Sequence, residues 1–157
     1  NEQIQELTDQ QKELKASIRE KQNRMKEINQ QRQAIRDYSR TKEVYIQYRE
    51  SGWSVKFYQD HRQEIEDHRN AQAVYSSHDG KMPTLKELTT EYDGLKERKE
   101  NDQAALDELK PKLTDLKHIR YNYEILERDS APNSNQHVIP NDHHYDEHAV
   151  HHDDESR

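Results

Sequence analysis

The chain has 157 residues, 29% of them hydrophobic and 36% charged, with a formal net charge of −7. A globular core draws on roughly 45–50% apolar residues, so this composition excludes a compact multilayer fold. It supports a narrow seam between helices, to which each helix commits about two residues in seven.

The first element begins at Ile4. Alternating steps of three and four give Ile4, Leu7, Gln11, Leu14, Ile18, Lys21, Met25, Ile28, Arg32 and Ile35, and seven of these ten positions are apolar. The residues between them are almost all Gln, Lys, Arg, Glu and Asp, the pattern of a coiled-coil helix. No Gly or Pro precedes Gly52, so the spacing predicts one helix over about 2–50. Its seam turns aromatic at Tyr38, Tyr45 and Tyr48, and Gly52 ends it.

A second helix is expected over about 54–77. Ser54 is its N-cap, and Val55, Phe57, Tyr58, Ile65, Ala71, Val74 and Tyr75 are its apolar positions. The stretch Ser76-Ser77-His78-Asp79-Gly80 is turn chemistry and stops it. The third helix, over about 84–128, has the clearest start. In Thr84-Leu85-Lys86-Glu87 the first and last side chains satisfy each other's free amides as a capping box. Its seam is Leu85, Leu88, Tyr92, Leu95, Lys99, Asp102, Leu106, Leu109, Leu113, Leu116, Arg120 and Tyr123, with nine of twelve positions apolar or aromatic. Pro111 lies off the seam and predicts a local kink or break.

Two long helices of similar length joined by a mostly helical connector predict an all-α fold: a long antiparallel hairpin, a coiled coil with a short helix at its tip. Folding about residue 67 places Arg32 opposite Asp102, a polar pair that would fix register. The competing arrangement is a parallel dimer through either long helix. The helical domain spans 1–128. From Asp129 the composition changes to a polar, acidic, His-rich tail over 129–157, which cannot bury enough surface to offset its ordering entropy and is expected to be disordered.

The candidates for chemistry are few. Six of the ten histidines lie in the tail, and His144, His148 and His152 fall four apart. They are weak candidates for adventitious metal binding, since this composition supplies no supporting shell of order. His61, His68, His78 and His118 read as surface residues. Tyr45, Tyr48, Tyr92 and Tyr123, at seam spacing, read as packing residues. No glycine-rich phosphate loop, G-x-S-x-G or H-E-x-x-H occurs, so no catalytic residue and no cofactor is expected. Cysteine is absent, which removes disulfides and thiolate metal sites. No apolar run approaches the roughly 20 residues of a membrane span, so no membrane partner is expected and the chain is assigned to the cytoplasm. Opening mid-heptad at Asn1, it reads as the C-terminal piece of a longer protein.

Charge is uneven. Residues 1–9 contribute −3, 10–50 contribute +5, 51–128 contribute −3 and 129–157 contribute −6. The basic first helix is either a solvated face or a site of weak DNA-backbone contact. Trp53, at a helix break among Tyr45, Tyr48, Arg49, Phe57 and Tyr58, marks an aromatic cluster. It is either a small core joining the first two helices or a partner-binding patch of the kind that favours Trp, Tyr and Arg.

The stretch VYIQYRESGWSVKFYQDHRQEIEDHRNAQAVY, followed by KMPTLKELTTEYDGLKERKE and DLKHIRYNYEIL, resembles the C-terminal helical region of relaxases, the mobilisation nucleases of Gram-positive mobile elements. The likeness rests on Tyr45, Tyr48, Arg49, Ser51, Gly52, Trp53, Ser54, Phe57, Tyr58, His61, Glu64 and Ile65, then Pro83, Thr84, Leu88, Glu91 and Tyr92, within about residues 38–126. The tail departs from the family pattern. The family's catalytic tyrosine and metal-binding histidines belong to a separate N-terminal domain, and no residue here inherits those roles. The resemblance implies an accessory region in conjugative DNA transfer that acts by contact with transfer-apparatus proteins, by self-association or as a spacer. The alternative is a structural spacer or scaffold segment of an unrelated long coiled-coil protein.

Overall fold

The computed structural model describes residues 1–131. Among them are four helices and no strand: α1 (Glu2–Glu50), α2 (Val55–Asp60), α3 (Arg62–Ser77) and α4 (Leu85–Ser130). The fold is all-α, and α1 and α4 pack against each other as the two long arms of an antiparallel hairpin.

With 49 residues, α1 is a rod about 74 Å long at 1.5 Å per residue. None of its ten predicted seam positions is exposed. Opposite it runs a returning arm in two pieces. The first piece, α3, lies along the C-terminal half of α1, where Arg40 meets Asp67 and Tyr38 meets Tyr75. The second, α4, lies along the N-terminal half, where Arg24 meets Glu91 and Lys21 meets Asp102. The helix expected over 54–77 is therefore two. The short α2 sits at the tip, His61 interrupts the chain, and α3 doubles as half of the returning arm.

The capping box closes as the sequence indicates. The Glu87 amide donates to Thr84 Oγ1 at 3.1 Å, and the Thr84 amide donates to Glu87 Oε2 at 3.2 Å. At Pro111 the helix continues without a break. Proline removes one amide donor and frees the carbonyl four residues earlier. That carbonyl belongs to Asp107, on an exposed stretch open to solvent, so freeing it leaves no buried polar group unpaired.

The best-buried part of the rod is where the end of α3 and the start of α4 both lie on α1. Met25 and Ile28 pack with Leu88 and Leu95, flanked by Ile35 and Tyr92. On a different face, Gln30, Gln33, Ala34 and Asp37 meet Asn70, Ala71 and Val74. Ile28, Gln31 and Leu88 are among the largest side chains fully removed from water.

The register differs from a fold centred on residue 67. Asp102 lies opposite Lys21, about three helical turns from Arg32, at 2.7 Å from its Nζ. Arg32 instead stacks over the Tyr92 ring, 5.2 Å from its centroid. The centre shifts because α4 starts its packing at Leu88 against Ile28, after α3 has already covered the outer part of α1. The polar pair in the seam exists, but between partners that only the three-dimensional connection determines.

Candidate functional site

The end of the rod where α1 turns into α2 is built from its own sequence in a few steps. After Ser51, Gly52 takes φ +72° and Trp53 φ +61°. The Gly52 amide donates to the Arg49 carbonyl at 3.1 Å and the Trp53 amide to the Tyr48 carbonyl at 3.2 Å. These are the two bonds of a Schellman termination, with the usual apolar contact between the residue beyond the glycine and the last turn. Here that contact is Trp53 on Tyr48, ring centroids 5.2 Å apart and nearly perpendicular. Ser54 then caps α2 by accepting from the Phe57 amide. Glycine adopts the left-handed region freely, whereas a bulky side chain there is an outlier that costs about 1–3 kcal/mol.

Aromatic rings fill the space between α1 and the returning arm. Tyr48 stacks parallel to Phe57 at 6.1 Å and packs against Tyr58 at 6.0 Å. The Arg69 guanidinium lies 5.8 Å from the Tyr48 centroid and 5.7 Å from that of Tyr58. Tyr58 donates its hydroxyl to Glu66 at 2.6 Å, and this bond to a carboxylate raises its pKa. Phe57 rests on His61 at 4.3 Å, at the joint between α2 and α3.

The ladder continues inward through His68, expected at the surface but buried at 2% exposure. Its ring is stacked between Tyr45 at 4.3 Å and Tyr38 at 4.8 Å. Nδ1 lies 2.9 Å from Thr41 Oγ1. The Thr41 hydroxyl gives its single proton to the Asp37 carbonyl, so the imidazole Nδ1–H is the donor to Thr41 and Nε2 keeps its lone pair. Burial lowers the His68 pKa, so the ring is neutral at pH 7. The signal for burial was present: His68 follows Ile65 and precedes Ala71 at helical spacing, and all three are buried.

The candidate residues thus divide. Tyr48 is buried; Tyr45, Phe57 and Tyr58 are partly buried and form the small core joining α1 to α2 and α3. Arg49 is exposed on the last turn of α1. Trp53 is 49% exposed, with Val55 exposed close by in sequence. Packing therefore uses one edge of the indole and leaves the other to solvent. Tyr123, expected to pack, is exposed, because α4 carries it to the other end of the rod, level with the first residues of α1. His144, His148 and His152 lie outside the described residues.

Most cations that pair across the rod belong to α1. Arg24 grips Glu91 with two bonds of 2.7 and 2.9 Å. Lys21 meets Asp102 at 2.7 Å and Arg40 meets Asp67 at 2.8 Å. In each case the cation's hydrogen bond lowers the carboxylate's pKa. Part of the +5 excess of residues 10–50 is thus matched by acids on α3 and α4.

Among the described residues no group of three or more His, Asp or Glu side chains is arranged to hold a metal ion, and no helix is long and apolar enough to cross a membrane. Comparison with protein-family models, curated proteins and solved structures finds no match to this chain.

Proposed function

We propose that this chain is a non-catalytic interaction and spacer module, the accessory helical region of a relaxase-type mobilisation protein acting in conjugative DNA transfer in the cytoplasm. The observation that carries the interaction reading is Trp53, a half-exposed indole held at φ +61°. Strain at a bulky surface residue persists where the surroundings over-determine it, and such sites cluster at ligand clamps and switch regions. Trp, Tyr and Arg together are also the composition of interface hot spots. The relaxase part rests on the sequence resemblance alone, whose residues from Tyr45 to Ile65 all belong to this end of the rod.

A protein is favoured over DNA as the partner because Lys21, Arg24 and Arg40 already serve acids of the returning arm. A weak contact of the remaining α1 cations with a DNA backbone would fall steeply with added salt. The second reading, a structural spacer in an unrelated long protein, is favoured by the length of α1, 49 residues in one helix.

A photo-crosslinking residue in place of Trp53, compared with one at exposed Gln47 on α1, separates them. The expected result is a discrete cross-linked protein at position 53, identified by mass spectrometry as a component of a DNA-transfer apparatus. Equal, diffuse labelling at both positions supports the spacer and overturns the interaction reading. A discrete partner unrelated to DNA transfer overturns the relaxase assignment alone.

A further inference from the structure

Where the two pieces of the returning arm join, a buried amide faces a sulfur. Gln31 of α1 is 2% exposed, and its two polar ends are used unequally. Its Oε1 accepts from the Arg24 guanidinium at 3.4 Å. Its Nε2 points at the Met82 thioether, 4.0 Å away, and among the described residues it donates to nothing else. A thioether is a weak acceptor, so a donor shut away from water is left with little to bond. Met82 lies between α3 and α4, outside any helix, and is partly open to solvent.

The chain has two methionines, and they sit in opposite surroundings. Met25 is buried and packs with Ile28, Leu88 and Leu95, none of which can donate to a polar atom placed there. Met82 alone combines access from solvent with a buried donor aimed at its sulfur.

This pair suits oxygen transfer from a hydroperoxide to sulfur. The Met82 lone pair attacks one oxygen of hydrogen peroxide, and the S–O bond forms as the O–O bond breaks. The departing hydroxide takes up the proton left on the transferred oxygen and leaves as water. Sulfur is oxidised by two electrons and the peroxide is reduced by two, so nothing further is consumed. The thioether becomes a sulfoxide, whose oxygen is a full hydrogen-bond acceptor. A 4.0 Å separation is too long for an N–H···O bond but leaves space for that oxygen between sulfur and nitrogen. Attack comes from the solvent side, and the three rotatable bonds of methionine then let the oxygen turn inward.

We infer that Met82 is a site of reversible oxidation by hydroperoxides, and that Gln31 Nε2 donates to the resulting sulfoxide and holds the connection between α3 and α4 on α1. The inference is independent of the reading of Trp53, which lies at the tip.

The probe is hydrogen peroxide on the full chain, followed by tandem mass spectrometry of both methionine peptides. Met82 should gain one oxygen at least about tenfold faster than Met25, and methionine sulfoxide reductase should remove it. Exposure alone would give that ratio, so the deciding readout is stability in urea. Oxidation at Met82 should leave the wild-type chain no less stable than before. In Gln31→Leu the oxygen meets an apolar side chain, and oxidation should shift the folding equilibrium at least about fivefold toward the unfolded state. A second comparison keeps Gln31 in place. Met82→Gln carries an amide oxygen near the position of the sulfoxide oxygen and should be at least as stable as Met82→Leu, the reverse of the order at a partly buried site without a donor. Equal oxidation losses in the wild type and Gln31→Leu overturn the inference. So does Met82→Gln being the weaker of its pair, or a Met82 that peroxide oxidises no faster than Met25.

Discussion

One helix, α1, is packed along its two halves by different chemistry. Against α4 its seam is aliphatic, with Ile18, Met25 and Ile28 facing Leu88, Leu95, Leu106 and Leu109, and flanking ion pairs at Arg24 and Lys21. Against α3 it is aromatic and hydrogen-bonded, with Tyr38, Tyr45 and Tyr48 around His68 and Thr41. Leucine and isoleucine interdigitate by shape and depend little on pH. Stacked rings and a buried imidazole depend on orientation, tautomer and protonation. Stability should therefore be spread unevenly: size matters most where the arms overlap, ring identity along α3, and charge at the margins.

The largest effect is expected where both arms meet α1. Leu88 is fully buried against Ile28, and Leu88→Ala should cost about 3–4 kcal/mol from lost burial plus the cavity left behind. The same change at exposed Leu126 should stay within about 0.5 kcal/mol. Urea denaturation followed by circular dichroism gives both values. Equal losses at the two sites would mean that the overlap is not the centre of stability.

His68 tests the aromatic half. His68→Ala removes the middle ring of a three-ring stack and the donor to Thr41, and about 2 kcal/mol should be lost. The pH dependence separates this from a generic cavity. Because burial lowers the folded-state pKa of His68, its contribution is complete above the unfolded value of about 6.5 and falls as pH drops below it. Melting temperature should decline as pH falls below about 6.5, and His68→Phe should remove that decline while keeping a stacked ring. The groups facing His68 are Tyr38, Tyr45 and Thr41 of α1. If His68→Phe keeps the full slope, the decline arises elsewhere.

At the tip the expected changes are smaller and of opposite kinds. Gly52→Ala, at φ +72°, should cost about 1 kcal/mol of backbone strain, although nothing crowds the added methyl group. Trp53→Gly relieves strain of similar size and gives up the contacts with Tyr45 and Tyr48, so net stability should move by less than about 1 kcal/mol. A thermal-shift comparison of the pair decides the point. A loss of several kcal/mol for Trp53→Gly would make the indole a structural plug and remove the reason to regard its exposed edge as a docking feature.

These expectations also show how far the sequence can be read. The 3–4 spacing from Ile4 to Ile35 and from Leu85 to Leu116 was sufficient for the long helices, because burial on one face needs only a period. The Thr84–Glu87 box was legible because its two bonds are local. The register was not. Lys21, Arg32 and Asp102 all interrupt a seam, and which two meet depends on how much of α1 is already occupied by α3. His68 was missed because a histidine is polar by composition, and only its spacing from Ile65 and Ala71 signals the buried stripe. Gly52 announced one left-handed residue. The second, at Trp53, follows from its contact with Tyr48 and has no sequence signal of its own.

The smallest effect belongs to the ion pairs of the aliphatic half. Asp102 accepts from Lys21 Nζ and Ser17 Oγ, each at 2.7 Å. It is partly screened by solvent, so Asp102→Asn should cost only about 0.5–1 kcal/mol at low salt. The cost should shrink further in 1 M salt, where the Debye length is about 3 Å. Its signature is the acid limb. The Lys21 hydrogen bond lowers the folded-state pKa of Asp102, so the pair's contribution is complete above the unfolded value of about 3.9 and is lost as pH falls through the folded one. Asp102→Asn should flatten stability below about pH 4 and leave the decline due to His68 untouched. Coupling between the two variants would show that the halves of the rod do not behave separately. Additivity within about 0.5 kcal/mol would show that α1 transmits neither loss from one half to the other.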